Sequence, residues 1–444
     1  MNFPVELIHT SASEAYVGTL TNLLSVEATL PPSEVSVKSK QGADRSSKEI
    51  LNYGFRLTDA LSRLTLNAHS RFSAVEAIAR FVWMMGANDR LADIAFYSPN
   101  AKSFSDDGIL VPGSSYGHRI FSAAPGIDQF KATIEGLRSD PLSRRAAVSV
   151  YQAEDAIRKN SGDVPCTFGF VFHVRDEKLH ATVMMRSNNA HLLLPYNLFE
   201  FSLLAEVLAS ELGVGLGSIY YTAASMHLYA QDFSIAEQAC REPILPLQMA
   251  PMPTNSLSSV QDLVKIEARL RQEAVSDEKL LALVTEGQES LPPYWTQFLY
   301  ILALKNATIR NFELTHDVVS QLIESPLREC LRIEPLKSVA QSERGTNSLF
   351  DFLPGPKEVA NAAELSLLNL INQIDDICLL KTREWEGQGL APLTFEEQRM
   401  VRESAIGSLT GPIAIAAWDI EGTLQGVRTQ LIALRSQAER LPFN

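Results

Sequence analysis

Several short runs with chemical potential fall in order along the middle of the chain. They are Ser114-Ser115-Tyr116-Gly117, Ser143-Arg144-Arg145, Pro165-Cys166, Arg186-Ser187-Asn188-Asn189, Leu194-Pro195-Tyr196-Asn197 and His227-Leu228-Tyr229. A cysteine offers a thiolate nucleophile, and neighbouring guanidinium groups make that thiolate easier to form. Paired arginines supply permanently charged, bidentate donors for an anion such as a phosphate. Each run also has an ordinary structural use. Cysteine buries well as a small hydrophobe, arginine pairs occur on solvated faces, and a His-x-Tyr triplet can simply close a strand. The weight lies in the set, its order and its spacing.

The elements that must position these residues can be read from periodicity. Apolar residues Val75, Ile78, Ala79, Val82 and Trp83 recur at three and four, predicting a helix over 74–85 that ends at Gly86–Asp89. A strand is predicted over 50–57, a helix near 126–137, and short strands over 146–151, 169–175, 179–185 and 218–223. The turn 175–178 joins two of these as an antiparallel hairpin. Pro195 opens an apolar helix over 197–212 that stops at Gly213–Gly217. Residues 97–118, rich in Ser, Asn, Asp and Gly, read as a long loop of the functional or mobile kind. The first forty residues show no clear period.

Four prolines at 243, 246, 251 and 253 mark a domain boundary, with a linker expected over 248–258. Beyond it the period is helical, with helices expected over 259–274, 277–285, 294–310, 362–383, 394–408 and 413–440 and no internal repeat. The expected architecture is an α+β domain over 1–247, the linker, and an all-helical domain of unknown role over 259–444. Trp295, Trp385 and Trp418 read as core residues of those helices, and Cys330 and Cys378 as buried thiols.

The chain has 444 residues, with 39 Lys plus Arg against 52 Asp plus Glu and a net charge of −13, which argues against general affinity for nucleic acid or anionic membranes. No apolar run approaches a bilayer span, and Met1–His9 lacks the basic-then-apolar order of a secretory signal. The four cysteines are far apart without a CxxC pair, so neither a metal site nor a disulfide framework is expected, and a cytoplasmic location fits.

In this order the runs resemble the thymidylate synthases and their pyrimidine nucleotide hydroxymethylase relatives. The family pattern D-x-x-S-R-R, P-C, R-S-x-D, L-P-x-N and H-x-Y is met by Asp140 to Arg145, Pro165-Cys166, Arg186 to Asn189, Leu194 to Asn197 and His227 to Tyr229. Arg241-Glu242-Pro243 loosely resembles the family segment that follows. The likeness covers roughly residues 45–247. It implies a mixed-sheet fold of thymidylate synthase type and a homodimer, with Arg144 and Arg145 reaching the partner's site. It also implies one-carbon transfer to C5 of a uridine nucleotide, dUMP or UMP, through a Cys166 adduct at C6, giving a 5-hydroxymethyl or 5-methyl product. By the same resemblance Arg45, Arg186 and Ser187 hold the 5′-phosphate, and His227 and Tyr229 hold the ribose. Asn197 reads the uracil edge, since an amide offers both a donor and an acceptor. Tyr116 assists proton removal from C5, and 5,10-methylenetetrahydrofolate is the implied cofactor.

The pattern also departs from the family. The acid/base glutamate of the family's E-x-x-W is Arg80 here, in Arg80-Phe81-Val82-Trp83, and guanidinium does not deprotonate. Glu76, one turn earlier on the same face, is the substitute candidate. The pterin-binding aspartate is Asn189, the glycine before the L-P pair is Leu193, and Phe104 is the nearest aromatic in a loop where relatives carry tryptophans. All of these departures fall on the cofactor side. They leave open a second reading, a pyrimidine-nucleotide-binding descendant with altered or lost folate chemistry.

Overall fold

In a computed structural model, the described residues are 7–31, 46–123, 126–158, 161–245 and 247–333. The chain divides into two compact units, Met1–Phe352 and Leu353–Asn444, and the described residues all fall in the first. Arg45, Cys378, Trp385, Trp418 and the helices expected beyond residue 333 lie outside them.

The first unit is built on a mixed sheet. Its strands are β1 (Ile8–His9), β2 (Ser47–Leu57), β3 (Ala147–Ser149), β4 (Thr167–Arg175), β5 (Lys178–Met185), β6 (Asn188–Asn189) and β7 (Gly215–Tyr229). Their order is β1-β2-β7-β5-β4-β3, with β6 added beside the end of β7. The β4–β5 hairpin is antiparallel as expected. Its two-residue turn, Asp176-Glu177, takes φ of +49° and +56°, the left-handed pair that matches strand twist. β5 and β7 run parallel. Their C-terminal ends therefore meet at one edge, together with the start of antiparallel β4. That edge receives Cys166, Arg186–Asn189 and His227–Tyr229.

The helices preceding the sheet's second half are α1 (Ala12–Leu24), α2 (Ala74–Met85), α3 (Leu91–Ala95), α4 (Tyr116–Phe121) and α5 (Gln129–Ser139). α2 matches the periodicity, with Ser73 capping its N-terminus through the Glu76 N–H and Gly86 ending it. α1 was hidden because it lies in a stretch without a clear period, yet it carries a regular Ser11 cap and buries Tyr16, Leu20 and Leu23. α6 (Leu194–Leu212) begins on Pro195, ends on Gly213 at φ +68°, and is buried along nearly its whole length. It is buried all round because β5 and β7 cover one side while α1, α2 and α5 cover others.

Beyond the sheet come α7 (Phe233–Ala239), α8 (Ser256–Glu273), α9 (Asp277–Ser290), α10 (Pro293–Arg310) and α11 (Glu313–Leu322). The expected linker does not separate two bodies: α8 packs on α2 and α6, and α10 packs on α2. The physical reason is a row of buried polar clamps. Arg63 forms a buried ion pair with Glu206 of α6, whose other oxygen accepts the Met252 N–H at 2.8 Å. Glu211 accepts the Leu257 N–H at 3.0 Å, at the start of α8. Trp295 stacks on Phe81 at 6.2 Å, and Phe298 packs on both Phe81 and Phe199. Trp295 is fully buried and Cys330 nearly so, as the sequence suggested.

Candidate active site

Cys166 sits just before β4, half-buried, and its main chain is fixed by the Arg186 N–H donating to its carbonyl at 2.8 Å. The Arg186 side chain wraps the same segment. Its Nε donates to the Pro165 carbonyl at 2.7 Å and its Nη2 to the Val164 carbonyl at 3.0 Å, with Nη2 also 3.7 Å from Cys166 Sγ. Burial pushes the Cys166 thiol up, and the Arg186 guanidinium pulls it back. A cation aimed at a half-buried sulfur is what a nucleophilic cysteine requires.

Asp163 was not singled out from the sequence. It is buried and accepts from the Gly113 and Ser114 N–H groups at 2.5 and 2.7 Å and from the Ser114 hydroxyl at 2.5 Å. This locks the Cys166 loop to the loop leading into α4. Gly117 lets α4 lie directly on the end of α2, since a Cβ there would sit 1.7 Å from the Met84 carbonyl oxygen. Tyr116 is thereby held beside the nucleophile. Burial pushes its phenol well above the usual range and the nearby Cys166 adds to the rise, while Thr167 and Arg80 oppose it.

Ser187 Oγ lies 3.4 Å from His227 Nδ1, because β6 pairs in parallel with β7 and sets Asn189 opposite His227. The His227 and Tyr229 rings lie 5.0 Å apart. Asn197, on the first turns of α6, donates to the Tyr221 hydroxyl at 3.3 Å, and Asn188 donates to it at 2.5 Å. Tyr221, buried on β7, was not flagged by the sequence, since alternation in a strand does not distinguish a core tyrosine from one holding site amides.

The acid/base side is arranged differently from what the sequence led us to expect. Glu76 is half-buried and accepts from the Ser98 hydroxyl at 2.8 Å and the Tyr196 hydroxyl at 3.2 Å. Arg80 pairs through Nε with Glu200 of α6 and lies over the Tyr196 ring at 5.1 Å. Burial pushes the Glu200 carboxyl up, while Arg80 draws it down again. Burial also works against the Arg80 charge, but Glu200 and Glu76 outweigh it and the guanidinium is held firmly protonated. Glu200 was missed because nothing in its local pattern marks it; only folding brings it to Arg80.

Other expected residues stand apart. Arg144 and Arg145 are exposed and make no ion pair among the described residues. Ala147 pairs with Val171, well along β4 from Cys166; at about 3.3 Å per residue this puts Arg145 roughly 20 Å from the thiol of its own chain. Phe104 ends a tight turn, Pro99–Phe104, half-buried, with no ring contact among the described residues. Leu193 is the half-buried residue preceding α6. Asn189 Oδ1 accepts the His191 and Leu192 N–H groups at 3.0 and 2.7 Å, closing the turn into α6. Its Nδ2 is buried without a partner, a donor left over for a ligand's acceptor. That donor fits a heteroaromatic ring carrying an edge acceptor, as a pterin does. Trp83 lines a cleft with Val264, Glu267 and Arg271 of α8. Among the described residues no group of side chains could hold a metal ion, and no helix is long and apolar enough to cross a membrane.

The family profile described as thymidylate synthase matches residues 71–269. That segment belongs to the thymidylate synthase family. The match takes in Arg80, Cys166, Asn197 and His227 and runs into α8, past the proline-rich stretch. The thymidylate synthase domain is also similar to the deoxyuridylate hydroxymethyltransferase of Bacillus phage SP01, at 29% identity over 198 residues, 42% of this chain and 51% of that protein. The chain thus spans about half the length of this relative.

Proposed function

We propose that the thymidylate synthase domain transfers a one-carbon unit to C5 of a uridine nucleotide, dUMP or UMP, giving a 5-hydroxymethyl or 5-methyl product. The observation that carries this is the placement of the Cys166 thiol 3.7 Å from Arg186 Nη2 at the edge where Ser187, His227, Tyr229 and Asn197 also gather. The similarity to a deoxyuridylate hydroxymethyltransferase supports the same substrate class.

In this mechanism the Cys166 thiolate adds to C6 of the uracil and makes C5 nucleophilic. Arg186 and Ser187 hold the 5′-phosphate, with Arg45 added from the resemblance, while His227 and Tyr229 hold the ribose. Asn197 reads the N3–H and O4 edge, which selects uracil over cytosine. Tyr116 stays protonated at neutral pH, so it orients the acceptor of the C5 proton rather than acting as the base itself. When bound, 5,10-methylenetetrahydrofolate supplies the methylene group, with Asn189, Leu193 and Phe104 as the residues on its side. The last step decides the product: water gives hydroxymethyl, hydride gives methyl.

A homodimer belongs to the same proposal. On the sheet face turned away from α6, Phe168 is 44% and Met184 38% exposed. Stacking a second copy there brings Arg144 and Arg145, too far from their own thiol, toward the partner's phosphate site. Arg80 in place of a carboxylate favours the second reading, a nucleotide binder without one-carbon transfer. Tritium release from [5-³H]dUMP and [5-³H]UMP separates the two. Release that requires methylenetetrahydrofolate, with a 5-substituted product, supports transfer. Nucleotide binding with no release under any condition sinks it.

A further inference from the structure

Arg80 is a cation with spare donors. Its Nε is committed to Glu200 and its face to Tyr196, but its two terminal nitrogens have no acceptor among the described residues, and a quarter of its side chain, 25%, is exposed. Glu200, 4% exposed, lies three residues after Asn197, on the same face of α6. The Tyr116 ring lies 6.0 Å from that of Phe201, the residue after Glu200 on α6. Building on the uracil chemistry above, we infer that Arg80 is itself a catalytic residue: presented by Glu200 and Tyr196, its guanidinium donates to pyrimidine O4 and stabilises the negative charge that forms there.

The step balances without a proton. A lone pair of the Cys166 thiolate forms the S–C6 bond, the C5–C6 π pair becomes the C4–C5 π bond, and the C4–O4 π pair moves onto O4. One negative charge passes from sulfur to oxygen. Arg186 lies at the sulfur end of that path, 3.7 Å away, and Arg80 serves the oxygen end. A fixed cation in a dry site meets the new charge with no reorganisation, which replaces proton donation by electrostatic stabilisation. Asn197 reads the same ring edge, so Arg80, tied to α6 one turn along, faces the same oxygen. The competing role, charge compensation for Glu76 and Glu200 alone, gives Arg80 a part in folding but none in the reaction.

The test is tritium release from [5-³H]dUMP by the full chain in the presence of methylenetetrahydrofolate, read with dUMP affinity and melting temperature. The double variant Arg80→Gln with Glu200→Gln removes both charges of the pair and leaves Glu76 with its Ser98 and Tyr196 hydrogen bonds. It should bind dUMP within about threefold of wild type while releasing tritium roughly 10²–10³-fold more slowly, the usual scale for losing an oxyanion donor. Release within about threefold of wild type, or a loss lying wholly in dUMP affinity, overturns the inference. If the double variant does not fold, Arg80→Lys decides, because it keeps the charge but not the planar fork. Release slowed about tenfold or more at unchanged affinity supports the inference, and unchanged release overturns it. A wild-type protein that binds dUMP or UMP but releases no tritium from either, with or without folate, overturns the proposed function as well.

Discussion

The two sides of the site are built to different rules. On the nucleophile side, Cys166, Arg186, Ser187, His227 and Tyr229 sit on strand ends whose register fixes them, and the residue types are those the family pattern predicts. On the opposite side, Glu76, Arg80 and Glu200 come from two helices, α2 and α6, and form a charge cluster that the pattern does not predict. Strand ends in a parallel pair leave few arrangements for a ligand's anion. Between the facing helices a half-buried cation and a buried carboxylate are kept because they pair with each other.

The sharpest break of this contrast is Cys166→Ser. C5 tritium release should fall at least ~10³-fold with dUMP affinity nearly unchanged, because a hydroxyl at this site lacks a base strong enough to activate it. Retention of release would place the nucleophile elsewhere. Next in size, Asn197→Asp should cost roughly 10²-fold in kcat/KM on dUMP and improve the ratio for a cytidine nucleotide, since it trades the amide donor for a second acceptor. An unchanged base preference would remove Asn197 from the ring edge.

The pH profile gives a smaller and directional effect. Burial raises the Cys166 thiol, so the thiolate is scarce at neutral pH. Release should climb about tenfold per pH unit below that pKa and still be rising at about pH 8.5, the ordinary thiol value. A plateau below pH 7 would mean that Arg186 outweighs burial once a nucleotide is bound. The smallest effect is expected of Leu193→Gly. If Leu193 restricts the cofactor side, opening it should tighten methylenetetrahydrofolate binding several-fold, about 1 kcal/mol by isothermal titration. No change would leave Leu193 a plain helix-start residue.

The nucleophile side was legible in the sequence because each of its residues sits inside a short run whose order survives in the chain. α2 was legible because its stripe of apolar residues is uninterrupted and ends at a glycine. The rest depended on contacts that sequence spacing does not encode. Glu200 acquires its meaning only from Arg80, 120 residues away, and Asp163 only from the Gly113–Ser114 amides. The proline-rich stretch looked like a linker because prolines punctuate, but the buried Arg63–Glu206 pair and the Met252 N–H pin it to α6. Removing one partner of such a pair costs about 3–5 kcal/mol, a measure of how firmly that stretch is held.

The stacking of Trp295 on Phe81 and of Phe298 on Phe199 has a consequence for how the protein comes into being. Phe81 neighbours Arg80 in the sequence, so part of the packing behind the helix that presents the guanidinium comes from rings that are translated much later. At roughly 5–20 residues per second, the ribosome exposes an unfinished substrate cleft for many seconds before those rings arrive. Competence to bind is therefore acquired only once residues 295–298 have emerged, and nonsense alleles that stop at the prolines should yield an insoluble product rather than a minimal enzyme.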